Sequence, residues 1–143
     1  MNLPVWVLDT NVLVSGLLSP YGPPGRLIDA LLGGHLRLAL DDRTEAEYLE
    51  VLSRPKFQIT AAERTAILAE IRLHEYLSAP PFPSSAQLPD PDDRMFLEVA
   101  AATFEQVLVT GNARHFLARA AGPVTVLSPR AAWERLALRS RGC

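Results

Sequence analysis

The chain has 143 residues, 48% of them hydrophobic and 21% charged, with a formal net charge of −2. This balance argues against a disordered chain and does not suggest a general polyanion binder, and the length suits one domain, residues 1–143, with a real core. No apolar run approaches the roughly 20 residues that span a bilayer, and Met1-Asn2-Leu3-Pro4 lacks the basic region of a signal peptide. The one cysteine, Cys143, excludes a disulfide framework within the chain. The expected compartment is the cytoplasm, with no membrane association. Charge is uneven: residues 1–110 carry 8 Lys or Arg against 15 Asp or Glu, and residues 111–143 carry 6 Arg against Glu134 alone. An acidic site beside an anion-meeting surface is one reading, and a solvated C-terminal helix is the other.

Val5-Trp6-Val7-Leu8 reads as a buried strand ending at Asp9. Val12 to Leu18 begins a helix, Tyr21-Gly22-Pro23-Pro24-Gly25 is a break, and Arg26 to Leu32 is helical until Gly33-Gly34 stops it. Leu36 to Leu40 is a second strand. Asp41 or Asp42 then caps a helix reaching Ser53, and Arg54-Pro55 ends it. Thr60-Ala61-Ala62-Glu63 is a capping box that opens a helix through about Tyr76. Ala79 to Pro91, with five prolines, is a long loop. Asp93 to Phe104 patterns as an amphipathic helix with Phe96, Leu97, Ala100 and Phe104 on one side. Val107 to Thr110 is a third strand, Arg114 to Ala120 a short helix and Val124 to Leu127 a fourth strand. Ser128 caps a last helix running from Pro129 to about Leu138. Strands alternating with helices predict an α/β fold with a parallel sheet covered on both faces.

Ligands of open parallel sheets bind beyond the carboxyl ends of the strands. Asp9 ends the first strand, Thr110, Gly111 and Asn112 follow the third, and Asp90, Asp92 and Asp93 precede the helix leading into it. An aspartate in such a place also serves as an ordinary helix cap. Asp93, however, lies at spacings of three, four and seven from Phe96, Leu97 and Ala100, over the buried stripe, and Glu47 stands four residues before Val51. Carboxylates gathered in one place need a compensating cation. Hard oxygen donors select Mg²⁺ or Mn²⁺, which keep positions for water and suit hydrolysis of a phosphodiester.

Four segments carry a resemblance: Leu8-Asp9-Thr10-Asn11-Val12-Leu13-Val14-Ser15-Gly16-Leu17, Glu47 to Phe57, Asp90 to Ala100, and Val109-Thr110-Gly111-Asn112-Ala113-Arg114-His115-Phe116. In type and order they resemble the acidic motifs of the PIN-domain family, and the second segment resembles its subgroup of toxins from toxin–antitoxin pairs. The resemblance implies a three-layer α/β/α sandwich with a central parallel sheet of about four to five strands. It also implies a ribonuclease dependent on Mg²⁺ or Mn²⁺, with an RNA substrate and a cognate antitoxin protein as partner; a homodimer is compatible with it. By motif position Asp9, Glu47 and Asp93 would hold the metal and Asn112 would complete the catalytic set. Asn112 departs from the commonest pattern, an acid, and so removes a charge.

Thr10, Asn11, Ser15, Asp92 and Thr110 are candidates for orienting those ligands. Arg54, Lys56, Arg114, His115 and Arg119 are candidates for RNA contacts. Lys56 is the single lysine beside 13 arginines. A phosphatase using Asp9 as nucleophile would want a second aspartate at position 11 and a nearby lysine, and the chain has Asn11. A catalytically weakened PIN-fold module that binds RNA or protein is the alternative, supported by Asn112.

Overall fold

The computed structural model describes residues 3–72, 75–76, 94–112 and 122–141. Among these residues five parallel strands form one sheet: β1 (Val5–Leu8), β2 (Arg37–Leu40), β3 (Glu75–Tyr76), β4 (Val107–Val109) and β5 (Thr125–Leu127), in the order β3-β2-β1-β4-β5. The helices are α1 (Thr10–Leu18), α2 (Pro23–Leu32), α3 (Asp42–Leu52), α4 (Ala61–Arg72), α5 (Arg94–Ala101) and α6 (Pro129–Arg141), with a 3₁₀ turn at Pro55–Phe57. The α/β class and the parallel sheet are as the sequence predicts.

Successive strand residues point to opposite faces. In β1 Trp6, Val7 and Leu8 are nevertheless all fully buried, as are Leu38, Ala39 and Leu40 in β2, so helices cover both faces. The α5 helix packs across β1, β2 and β4, α3 packs on β2 and α5, and α2 lies against α1 and α6. Strand β1 pairs with β2 on one side and β4 on the other. The chain order therefore reverses direction at β1, which is the switch point where such sheets open a crevice.

Four local readings are corrected. Helix α2 starts at Pro23 instead of Arg26. Proline is well tolerated in a first helical turn, where no intrahelical donor is needed. Helix α4 keeps its Thr60–Glu63 capping box, with both reciprocal bonds formed, but stops at Arg72. Glu75–Tyr76 then pairs beside Ala39–Leu40 as an edge strand, a tertiary pairing that overrides the helical pattern. Helix α5 ends at Ala101 because the Thr103 hydroxyl donates to the Ala100 carbonyl and accepts from the Gln106 amide, with Gln106 at φ 55°. Phe104 consequently leaves the helical stripe and is fully exposed. Helix α6 continues past Leu138 to Arg141, capped by Ser128 as predicted. The predicted loop 79–91 and helix 114–120 lie outside the described residues.

The α1–α2 junction leaves no room at Gly25, where a Cβ would stand 2.2 Å from the Pro20 carbonyl oxygen. Because the obstacle is backbone, it cannot rotate away. Gly25→Ala should lower stability by about 1–3 kcal/mol, the usual cost of overpacking, whereas Gly22→Ala, with nothing nearer than 3.8 Å, should cost less. Urea denaturation of the two variants tests the contrast.

Candidate functional site

Continuing the β1–β4 register by one residue sets Asp9 level with Thr110, and continuing the β1–β2 register sets it level with Asp41. Neighbouring strands are ~4.8 Å apart, so these three strand ends form one edge. Thr110 is fully buried and Asp9 and Asp41 are nearly so.

Both aspartates immediately precede a helix, and they behave differently. Asp41 takes the ordinary capping role: its Oδ1 accepts from the Thr44 amide at 3.0 Å, while its own amide donates to Thr44 Oγ1. Asp9 stands at the N-cap of α1 but makes no side-chain cap bond. Its Oδ2 instead accepts from Thr110 Oγ1 at 2.8 Å and Asn11 Nδ2 at 3.1 Å. The same two side chains organise the turn after β4. Asn11 Oδ1 accepts from the Gly111 amide at 3.2 Å, and Thr110 Oγ1 accepts from the Asn112 amide at 3.1 Å. A closed network thus joins the ends of β1 and β4. It brings Asp9, Asn11, Thr110 and the backbone of Asn112 together, with Asn112 itself exposed.

Tyr48 anchors α3 to this edge. The amide of Asp9 bonds to the Val109 carbonyl of β4 at 2.8 Å, and the Asp41 amide is committed to Thr44. The Leu8 carbonyl is supplied by the Tyr48 hydroxyl, which donates to it at 2.5 Å from a fully buried ring. That ring meets Phe96 of α5 at 6.0 Å between centroids. Burial first, and then the negative charges of Asp9 and Asp41, push the Tyr48 phenol well above its ordinary range. Both carboxylates therefore act on one buried oxygen. Glu47 is the neighbour of Tyr48 in α3 and is half-buried, and its charge contributes to raising the Arg54 pKa after the larger effect of Glu50.

Three residues that the sequence reading did not assign to the site form a second cluster. Arg43 Nε and Nη2 donate to Asp41 Oδ2 at 3.0 and 2.8 Å, and Nη1 donates to Glu98 Oε1 of α5 at 2.7 Å. Glu98 is 6% exposed within the buried run Phe96 to Ala100. An acid inside five consecutive core positions was the signal available in the sequence. The Glu98 hydrogen bond, opposed by burial and reinforced by Asp41, holds the Arg43 guanidinium above its ordinary pKa.

The other candidates fall elsewhere or outside the described residues. Thr10 is buried, and among the described residues its Oγ1 has no hydrogen-bond partner. Ser15 is exposed on α1, outside the Asp9 network. Arg54 pairs with Glu50, and Lys56 lies over the Phe57 ring. Asp90, Asp92, Asp93, Arg114, His115 and Arg119 lie outside the described residues. Among the described residues no three His, Cys, Asp or Glu side chains are grouped closely enough to hold a metal ion. A cavity of about 240 Å³ lies between α2 and α6, lined by Arg26, His35 and Trp133 among others. His35 precedes β2, at the opposite end of the sheet from Asp9, so this cavity does not lie at the acidic edge.

The sequence profile of the PIN domain matches residues 5–114, most of the chain. The chain belongs to the PIN domain family. The match spans every strand end that forms the acidic edge, from Asp9 through Asp41 to Thr110 and Asn112. PIN domains are in general nucleases that act on RNA and use divalent metals. Searches of curated proteins and of solved structures found no match. Among the described residues, no helix is long and apolar enough to cross a membrane.

The donor chemistry at Asp9 fits a hard divalent ion. Its Oδ2 accepts from Thr110 and Asn11, which orient the carboxylate, a hard oxygen donor. At Asp41, Arg43 supplies a cation.

Tyr48→Phe keeps the ring and removes the donor, leaving the buried Leu8 carbonyl unpaired at a cost of about 1–3 kcal/mol. The pH dependence has a definite sign. The folded phenol ionises above its unfolded value, so its contribution is complete below pH ~10 and is lost as pH rises beyond it. The stability difference between wild type and Tyr48→Phe should therefore shrink above pH ~10. Chemical denaturation at neutral and alkaline pH measures it, and a difference that grows with alkalinity would contradict this assignment.

Proposed function

We propose that this PIN domain is an endoribonuclease dependent on Mg²⁺ or Mn²⁺, and that it is the toxin of a toxin–antitoxin pair. The observation that carries the reading is Asp9. It is a nearly buried carboxylate at the switch point of the sheet, turned away from helix capping and fixed by Thr110 and Asn11. In this reading Asp9, Glu47 and Asp93 hold the cation and Asn112 assists. The bound cation supplies the activation of a water and the neutralisation of phosphate charge. The protein supplies orientation. Thr110 and Asn11 fix the Asp9 carboxylate, the Tyr48 bond to Leu8 fixes the end of β1 against the helix bearing Glu47, and the network sets the backbone of Asn112 beside them. Resemblance of the Glu47 to Phe57 segment to toxin subgroups supports an antitoxin partner, with the cytoplasm as the place of action.

The deciding experiment is cleavage of a single-stranded RNA with Mn²⁺ and with chelator. Asp9→Asn should lower the metal-dependent rate about 100-fold or more, because losing a ligand worth several kcal/mol has that effect. In chelator its melting point should stay level or rise, since a nearly buried charge has been removed. Undiminished cleavage by the variant would sink the reading.

A second reading, a PIN fold retained for binding RNA or protein with weakened catalysis, is favoured by Asn112. An acid at that place would add a full charge near the cation, and even at an effective dielectric of ~20 the attraction amounts to a few kcal/mol before desolvation. Asn112→Asp should therefore tighten Mn²⁺ binding, measured calorimetrically, while lowering the melting point of the metal-free protein. If neither quantity moves, residue 112 stands outside the site.

A further inference from the structure

We infer that Arg43 is a substrate-positioning residue that grips an RNA backbone phosphate next to the one lying over Asp9; this rests on the nuclease reading for the identity of the polymer. Three observations support the assignment. First, Arg43 is rigidly aimed. Asp41 takes its Nε and Nη2, and Glu98, from a different element, takes Nη1 at 2.7 Å. A guanidinium has five N–H groups, and these three bonds leave two for another acceptor. Second, the cation is the outward member of the cluster. Its side chain is 46% exposed, against 10% for Asp41 and 7% for Glu98, so an approaching anion meets the guanidinium before the acids behind it. Third, the cluster lies on the acidic edge, because the β1–β2 register sets Asp41 beside Asp9.

The chemistry follows from this geometry. An acidic edge repels the polyanion it must hold, and a bound metal offsets only the charge nearest to it. A fixed arginine beside it gives the neighbouring phosphate a partner whose planar fork matches phosphate oxygens. The two carboxylates orient that fork, so little side-chain entropy remains to be lost on binding. Arg54 has a different setting: it is bound by exposed Glu50 on its own helix, an i,i+4 surface pair.

The test measures RNA binding without cleavage. Asp9→Asn protein in chelator is titrated with a labelled single-stranded RNA over a range of salt concentrations. Each phosphate contact contributes about 0.7 to the slope of log affinity against log salt for a single strand. Adding Arg43→Gln should reduce that slope by about 0.7 and weaken binding several-fold at low salt. Arg43→Lys, which keeps the charge, should retain most of the slope. Because Arg43→Gln takes the guanidinium away from two nearly buried acids, the triple change Asp41→Asn, Arg43→Gln, Glu98→Gln is measured too, and it should show the same reduced slope in a folded protein. A purely structural role for Arg43 would lower the melting point of the single variant and leave the slopes unchanged. Unchanged slopes in both Gln-containing variants would overturn the inference, while metal-dependent cleavage by the wild type would still sustain the nuclease reading. Absence of both RNA binding and cleavage in the Asp9-containing protein would overturn the two together.

Discussion

The hydrogen bond from Thr110 to Asp9 is the constraint around which the acidic edge is arranged. It joins residues 101 positions apart in the chain, and it forms only because β1 and β4 lie side by side in parallel with Leu8 level with Val109. A slip of one residue would turn Asp9 to the opposite face of the sheet. The fully buried residues of β1 and β4 oppose such a slip, since it would place a charge where Leu8 now packs. Core packing thus sets the position of a polar group that contributes little to the core.

Two nearly buried aspartates at adjacent strand ends pose one electrostatic problem, and the chain solves it in two ways. Asp41 gains a capping box and a guanidinium, so its charge is compensated within the protein. Asp9 forgoes the cap and accepts from Thr110 and Asn11 instead. Ion pairs with one partner missing are costly, which explains why Arg43 serves Asp41 and Glu98 together. The residue that acts on both problems is Tyr48, whose buried hydroxyl feels both carboxylates and bonds to the carbonyl preceding Asp9.

Much of this was legible in the sequence, for physical reasons that differ by element. Runs such as Val5 to Leu8 and Val107 to Val109 are short, β-branched and bounded by polar residues, so their strand character and their ends could be read directly. Asp9, Asn11, Thr110 and Asn112 then followed from the rule that sites lie at the carboxyl ends of parallel strands. Phe104 was misread because periodicity continued past the point where the Thr103 hydroxyl ends the helix. Glu75–Tyr76 was misread because its pairing partner is 36 residues away, beyond any local pattern. Arg43, Asp41 and Glu98 were missed for a similar reason. Each looks ordinary in its own segment, and only the contact between α3 and α5 brings them together.

The arrangement also explains how an asparagine at position 112 is compatible with an acidic site. The turn after β4 is already tied to Asp9 through backbone amides, with Gly111 on Asn11 and Asn112 on Thr110. The geometry of that turn therefore does not depend on the charge of the residue 112 side chain, which is exposed. What a carboxylate there would change is the balance of charge along the edge. Arg43 is shared by Asp41 and Glu98, so beside the Asp9 charge the described part of the edge carries one guanidinium set between two acids. A neutral residue at 112 adds no further acid on the β4 side, while Arg43 places a guanidinium on the β2 side.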